Sequence, residues 1–243
     1  MNENIIELKV EKSYYNSLQW QAAGGVVAKT NNSSDNWYLT NAINIACEKE
    51  FWNDKKEFSP RLVVDNTHPW SIPLINKYEF PKEFLNNTVI PSISTILSCG
   101  YYIYYNNIDD FYIDGKQSFN LWHNPHDGLI TGIDNSNKTI SIFGYDINNH
   151  LSTIRAPQEH FVEAFFSKYN NKDGVLLALK NNNQNFDYNF DDFLNNLNSY
   201  LHSQQTDVYK NINDFGFGLE ALNLVVKYVE EINNKKCHLI YWI

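Results

Sequence analysis

Along the chain, stretches whose apolar residues return every three or four positions are interleaved with stretches of strand character, and polar, Asn-rich segments separate them. ENIIELKV alternates as a strand does. SLQWQAAGGVVAK sets Leu18, Ala22 and Val26 at helical spacing, which predicts a helix beginning near Ser17, although Gly24 and Gly25 weaken it. WYLTNAINIACEKEFW repeats the helical pattern with Leu39, Ala42, Ile43, Ala46 and Cys47 on one stripe, so Cys47 is expected as a packed core thiol. IPSISTILSC reads as a helix with Pro91 in its first turn and Gly100 at its end.

YYIYYNNI comes at once after it and is rich in residues that suit a pleated surface. IDDFYIDGKQSFNLW is then a loop of aromatics and carboxylates leading to His123. Two apolar runs, DGLITGI and TISIFGYD, flank the polar turn DNSNK, which predicts a hairpin opened by His126 and closed by Asp146. PQEHFVEAFFSKY has the start of a helix with Phe161, Ala164 and Phe165 facing a core, and GVLLALK is a further strand. Beyond a polar boundary at 181–189, DDFLNNLNSYL and FGLEALNLVVKYVEEI are amphipathic helices, with a strand expected at the chain end. Helices, then strands, then helices read as α+β with a largely antiparallel sheet. The division expected is a domain over 1–180 and a helical extension over 181–243.

Composition narrows the partners. The formal charge of -9 comes from 28 acidic against 19 basic side chains, with no basic run placed to neutralise phosphates, so nucleic acid is excluded as the expected partner. No apolar run reaches the roughly 20 residues of a membrane span, and MNENIIELKVEKSYY lacks the features of a signal peptide, so a cytoplasmic protein without membrane contact is expected. Cys47, Cys99 and Cys237 are too widely spaced for a CxxC knuckle and odd in number for a disulfide framework. Trp20, Trp37, Trp52, Trp70 and Trp122 are expected in the core or in pocket walls.

The chemistry centres on the hairpin. An imidazole and a carboxylate held at its open end are two parts of an acyl-transfer triad, lacking a nucleophile. Residue by residue, plainer readings stand beside this one: His126 as a strand-end histidine satisfied by backbone, Asp146 as a turn carboxylate, Ser17 as a helix N-cap. His123 and His126 also form an HxxH beside Asp127, but a third ligand is not evident and no metal is expected.

GYYIYYNNIDDFYID, together with the later HNPHDGLITGID and FGYD, resembles the N-terminal family of butirosin biosynthesis protein H, a papain-like group of antibiotic and peptide gene clusters. It is similar as well to the amide-forming, papain-like enzyme of closthioamide biosynthesis. The resemblance covers residues 10 to about 170, and EHFVEAF matches the helix placed after the hairpin. It implies a cysteine-protease fold reused to take an acyl group from a carrier protein's phosphopantetheine thioester and pass it to a small amine. It implies His126 as general base, Asp146 as orienting acid, and a nucleophile at the start of the first helix, where the helix dipole lowers a thiol pKa.

Ser17 stands where the family pattern has cysteine. A replaced cysteine, a natural serine nucleophile and a chain that holds acyl groups without attacking them are the three readings. Gln19 and Gln21 are the candidate oxyanion donors, although papain-like enzymes carry that Gln ahead of the nucleophile; the resemblance suggests Asp109 and Tyr112 as residues of the acyl or amine pocket, and His123 is a further candidate binding residue. Lys55, Lys56 and Arg61 are the candidate basic patch for an acidic carrier protein. The nearest rivals are a cysteine peptidase or thioesterase, which the same triad would run in a wet pocket, and a noncatalytic binding module.

Overall fold

The computed structural model describes residues 4–12, 18–49, 62–64, 69, 71–82, 85, 88–170, 175–204 and 215–233. In chain order its elements begin with β1 (Ile5–Glu7), α1 (Gln19–Ala28), α2 (Ser34–Asn41), β2 (Ile45–Glu48), β3 (Leu62–Val64), β4 (Ile75–Pro81) and α3 (Val89–Ser98). They continue with β5 (Tyr102–Asp109), β6 (Pro125–Asp134), β7 (Thr139–Tyr145), β8 (Leu151–Pro157), α4 (Gln158–Phe166), β9 (Val175–Asn181), α5 (Phe190–Leu201), β10 (Phe215–Phe217) and α6 (Gly218–Asn233). Two compact units result, Met1–Asn31 with Ile72–Gln184 and Asn32–Ser71 with Asn185–Ile243. The sequence reading divides the chain once, at 180/181, whereas here the second unit also draws a segment from the N-terminal half. Residues 234–243, where a terminal strand is expected, lie outside the described residues.

The first unit is built on a seven-stranded sheet in the order β4-β9-β5-β6-β7-β8, with β1 also paired to β6 and every pairing antiparallel. The mixed α/β class and the antiparallel sheet are as the pattern predicts. β5 bonds to β6 over Pro125–Ile130, and β1 continues along Gly132–Asp134. The apolar stripes of α3 (Val89, Ile93, Leu97) and α4 (Phe161, Ala164, Phe165) join Ile103, Tyr105, Ile130, Ile140 and Ile142 in one core cluster. Gly100, at φ 77°, lets the chain leave α3 and turn directly into β5. α1 packs on β6, β7 and β9; its run Ala22–Ala28 is small and apolar on all sides and is buried all round, and Gln19 and Gln21 are buried with it.

β5 carries an irregularity that sets the position of the loop beyond it. Its partners on β6 run Tyr105 to Gly128 and then Ile108 to His126, so three steps on β5 match two on β6. This is a β-bulge, and Asn107 takes a left-handed φ of 56° within it. The extra residue reverses the alternation: Ile103 and Tyr105 before it and Ile108 after it all enter the same core. Lys82 donates to the Asn107 carbonyl at 3.2 Å, and its ammonium lies over the Phe165 ring. Burial pushes the Lys82 amine down to about 8.

In the second unit β10, β2 and β3 form a three-stranded antiparallel sheet, and Cys47 of β2 is fully buried with Ala221 of α6. The core thiol is as expected, but its setting is corrected: the stripe from Leu39 to Cys47 is not one helix. α2 ends at Asn41, Leu39 is 61% exposed, and Asn44 breaks the pattern by accepting the Ile45 N–H on its own side chain. Asn196 of α5 donates to the Thr40 carbonyl at 2.8 Å. Among the described residues no helix is long and apolar enough to cross a membrane.

The bulge gives a direct test. Deleting Asn107 forces Ile108, fully buried in the core, to the opposite face, and is expected to cost about 2–5 kcal/mol, as other losses of a buried large side chain do. Asn107→Gly, which supplies the same φ without strain, is expected to change stability by less than about 1 kcal/mol. Urea unfolding of the two variants measures the difference.

Candidate functional site

The chain after the bulge presents two consecutive carboxylates, Asp109 and Asp110, both buried. A short 3-10 turn at Asp110–Tyr112 begins the aromatic loop, and the chain returns through His123 and Asn124 to β6. Asp109 is the hub of this return. One oxygen accepts from the Ser167 hydroxyl at 2.6 Å and lies 2.7 Å from His123 Nδ1; the other accepts the backbone N–H groups of Asn124 at 3.0 Å and Phe111 at 3.2 Å. Burial alone would raise its pKa, but these hydrogen bonds, led by Ser167, hold it below the ordinary carboxylate value. The His123 ring stacks on Tyr169 with centroids 3.5 Å apart and also lies against Phe111.

His126, at the start of β6, has different neighbours. Its Nδ1 lies 3.4 Å from Asp127 Oδ1 and 3.8 Å from Asp110 Oδ2, and the Gln19 carboxamide nitrogen approaches the same atom at 3.4 Å from 107 positions away. The Gln19 oxygen is held by the Tyr145 N–H at 2.7 Å, so the amide is oriented with its nitrogen toward the ring. The Tyr104 hydroxyl donates to Asp127 at 3.2 Å. Beneath lies a buried ion pair, Lys116 Nζ to Asp110 Oδ2 at 3.6 Å. Gly144 makes room for the floor, since a Cβ there would stand 2.7 Å from Gln19 Oε1 and 3.0 Å from Lys116 Nζ. The imidazole therefore has partners in both tautomers. With the proton on Nε2, Nδ1 accepts from Gln19; with the proton on Nδ1, that atom donates toward Asp127 and Asp110 and Nε2 is left free to act as a base.

The predicted pair of His126 with Asp146 is not formed. Asp146 lies one residue past the end of β7 and holds its own turn, accepting from the N–H groups of Asn148 at 2.8 Å and His150 at 3.0 Å and from the Ser152 hydroxyl at 2.9 Å. DINNH is a sequence made for such a turn, and the local amides outcompete a distant imidazole. His123 and His126 turn to different carboxylates, and among the described residues no group of three or more His, Cys, Asp or Glu is arranged to hold a metal ion. Tyr112 packs on the core cluster with its ring centroid 6.1 Å from that of His123. Gln21 is buried on α1, whose N-cap position is Leu18. Trp37 is in the core, and Trp122 is 47% exposed.

Ser17 lies outside the described residues, as do Lys55, Lys56, Arg61, Trp52, Trp70 and Cys237. Asp110 and Lys116 escape sequence reasoning because a lone Asp and Lys in a polar loop are surface residues by default. The only signal for Asp110 is the Asn106–Asn107 pair, which suits a bulge. The sequence matches no family model, and no curated protein matches it.

Two outcomes test this geometry. Gly144→Ala is expected to displace the Gln19 amide and destabilise the protein by about 1–3 kcal/mol in urea unfolding, because the neighbours of the added methyl are themselves buried. Asp109→Asn is expected to destabilise by about 1–3 kcal/mol near neutral pH. Because the folded-state pKa of Asp109 is depressed, its contribution is fully present above the unfolded value of about 4 and is lost as pH falls through the lower folded value. The two proteins should thus converge in stability in acid, which unfolding curves over a pH series will show.

Proposed function

We propose that the protein is an acyltransferase that takes an acyl group from a carrier protein's phosphopantetheine thioester and forms an amide with a small amine. The observation that carries this is the convergence of the first residue of α1 and the first residues of β6: Gln19 reaches His126 across 107 positions. Residue 17, two positions before Gln19, is where the resemblance to the papain-like family of butirosin biosynthesis protein H has its nucleophile.

In this reading His126 removes the proton from the nucleophile at position 17 as it attacks the thioester carbonyl, and delivers it to the departing thiol. The amine then attacks the acyl-enzyme and loses its proton to the same ring, the bond from the acyl carbon to residue 17 breaks, and the ring returns that proton to the departing side chain. The role given to Asp146 by the family pattern passes to Asp127 and Asp110, which are near enough to favour the imidazolium. Gln19, with its oxygen fixed by Tyr145, keeps one amide hydrogen for the oxyanion. Leu121 and Trp122, 69% and 47% exposed in the loop that leads to His123, give an apolar surface for the acyl chain or the donor arm.

His123 with Asp109 is the alternative base, favoured by the shorter contact of 2.7 Å. The two are separable. Ser17→Cys restores the stronger nucleophile and is expected to gain one acyl mass on incubation with an acyl thioester, read by intact mass spectrometry. His126→Ala in that background is expected to slow the adduct by roughly 10²–10⁴-fold, the usual worth of a general base, with His123→Ala changing it much less. The reverse order of effects would move the base to His123. No adduct in any folded variant, across several acyl groups, would leave a binding module that does not attack.

A further inference from the structure

Lys116 is among the largest fully buried side chains, with 2% of its side chain exposed. Burying an ammonium carries a large desolvation penalty, and an apolar residue of similar size would pack the same space without it. Among the described residues the one carboxylate paired with Lys116 is Asp110, 5% exposed, at 3.6 Å. Neither Lys116 Nζ nor Asp110 Oδ1 has a hydrogen-bond partner among the described residues. The pair is thus not absorbed into a structural network, and Asp110 Oδ2 lies 3.8 Å from His126 Nδ1.

A carboxyl group buried in this way tends to take up a proton, and a neutral carboxyl offers no counter-charge to an imidazolium. Burial does push Asp110 upward and Asp127 adds to that, while Lys116 first and His126 second pull it back. From the geometry we infer that Lys116 is a positioning residue that keeps Asp110 ionised as the counter-charge of His126. Among the described residues the groups facing that imidazole are Asp110, Asp127 with Tyr104 on it, and Gln19 from α1; Lys116 and Tyr105 flank Asp110. Lys116 never touches the ring's substrate side in this scheme, and it acts only through Asp110.

The inference rests on His126 as the working base, yet its test needs no substrate. Long-range ¹H–¹⁵N NMR of the full chain tracks the titration of the His126 imidazole directly. Lys116→Met removes the ammonium, so Asp110 takes up a proton and the His126 midpoint falls by about one pH unit or more. Asp110→Asn produces a similar fall, the double variant falls no further than Asp110→Asn alone, and Lys116→Arg retains the original midpoint.

A rise of the midpoint in Lys116→Met would show that Asp110 stays ionised unaided and that Lys116 merely repels the imidazolium. That result overturns the inference, and so does an unchanged midpoint in Asp110→Asn. If Lys116→Met does not fold, Lys116→Gln replaces it, and the Asp110→Asn titration decides by itself whether the counter-charge role stands. Loss of acyl transfer with these midpoints intact would refute the proposed reaction and leave the charge relation standing.

Discussion

The pairing of β5 with β6, offset by one inserted residue, is the constraint on which the site depends. Up to Tyr105 the strand alternates between two buried faces, and without the insertion Asp109 and Asp110 would continue that alternation onto other surfaces. With it, Ile108 closes the core and the two carboxylates are delivered side by side under a loop that returns through His123 to His126. Bulges bend a strand and re-aim the residues beyond them. Here the re-aimed segment separates two imidazoles by giving each its own acid, Asp109 for His123 and Asp110 with Asp127 for His126.

The two acids are held by opposite means. Asp109 is saturated with hydrogen bonds from a hydroxyl, two amides and an imidazole, so its charge is spent on holding the loop together. Asp110 has one unpartnered oxygen and a lysine beside it, so its charge remains available to a neighbour. In a low-dielectric interior that difference separates a carboxylate that anchors structure from the one proposed as counter-charge to His126.

Much of the framework was legible in the sequence because its elements bury one face in a regular period. α1, α3, α4 and the β6–β7 hairpin come from their apolar spacing, and β9 from its continuous apolar run. β4 and β8 were not legible. They lie at the two ends of the sheet, and INKYEFP and LSTIRAP leave most of their side chains partly or fully exposed, so little alternation is imposed on them. His126 was legible as a strand-opening histidine. Its acid was misread because Asp146 also closes a strand, and only the local amides of its turn distinguish the two situations. Lys116 was invisible, since no pattern announces a charge that is buried by its partner.

The second unit draws its chain from both sides of residues 72–184, and β2 at residues 46–48 pairs with β10 at residues 215–217. The chain through residue 217 must exist before that ladder can close, and the loop-closure entropy falls due before its few bonds are gained. The β6–β7 hairpin, by contrast, closes over a turn of four residues between Asp134 and Thr139. During synthesis the hairpin carrying His126 can form as soon as it emerges, whereas the three-stranded sheet around Cys47 waits for β10, about 170 residues after β2. The thiol of Cys47 is therefore open to oxidants for the duration of that wait and closed to them afterwards, which makes the arrival of β10 the event that protects it.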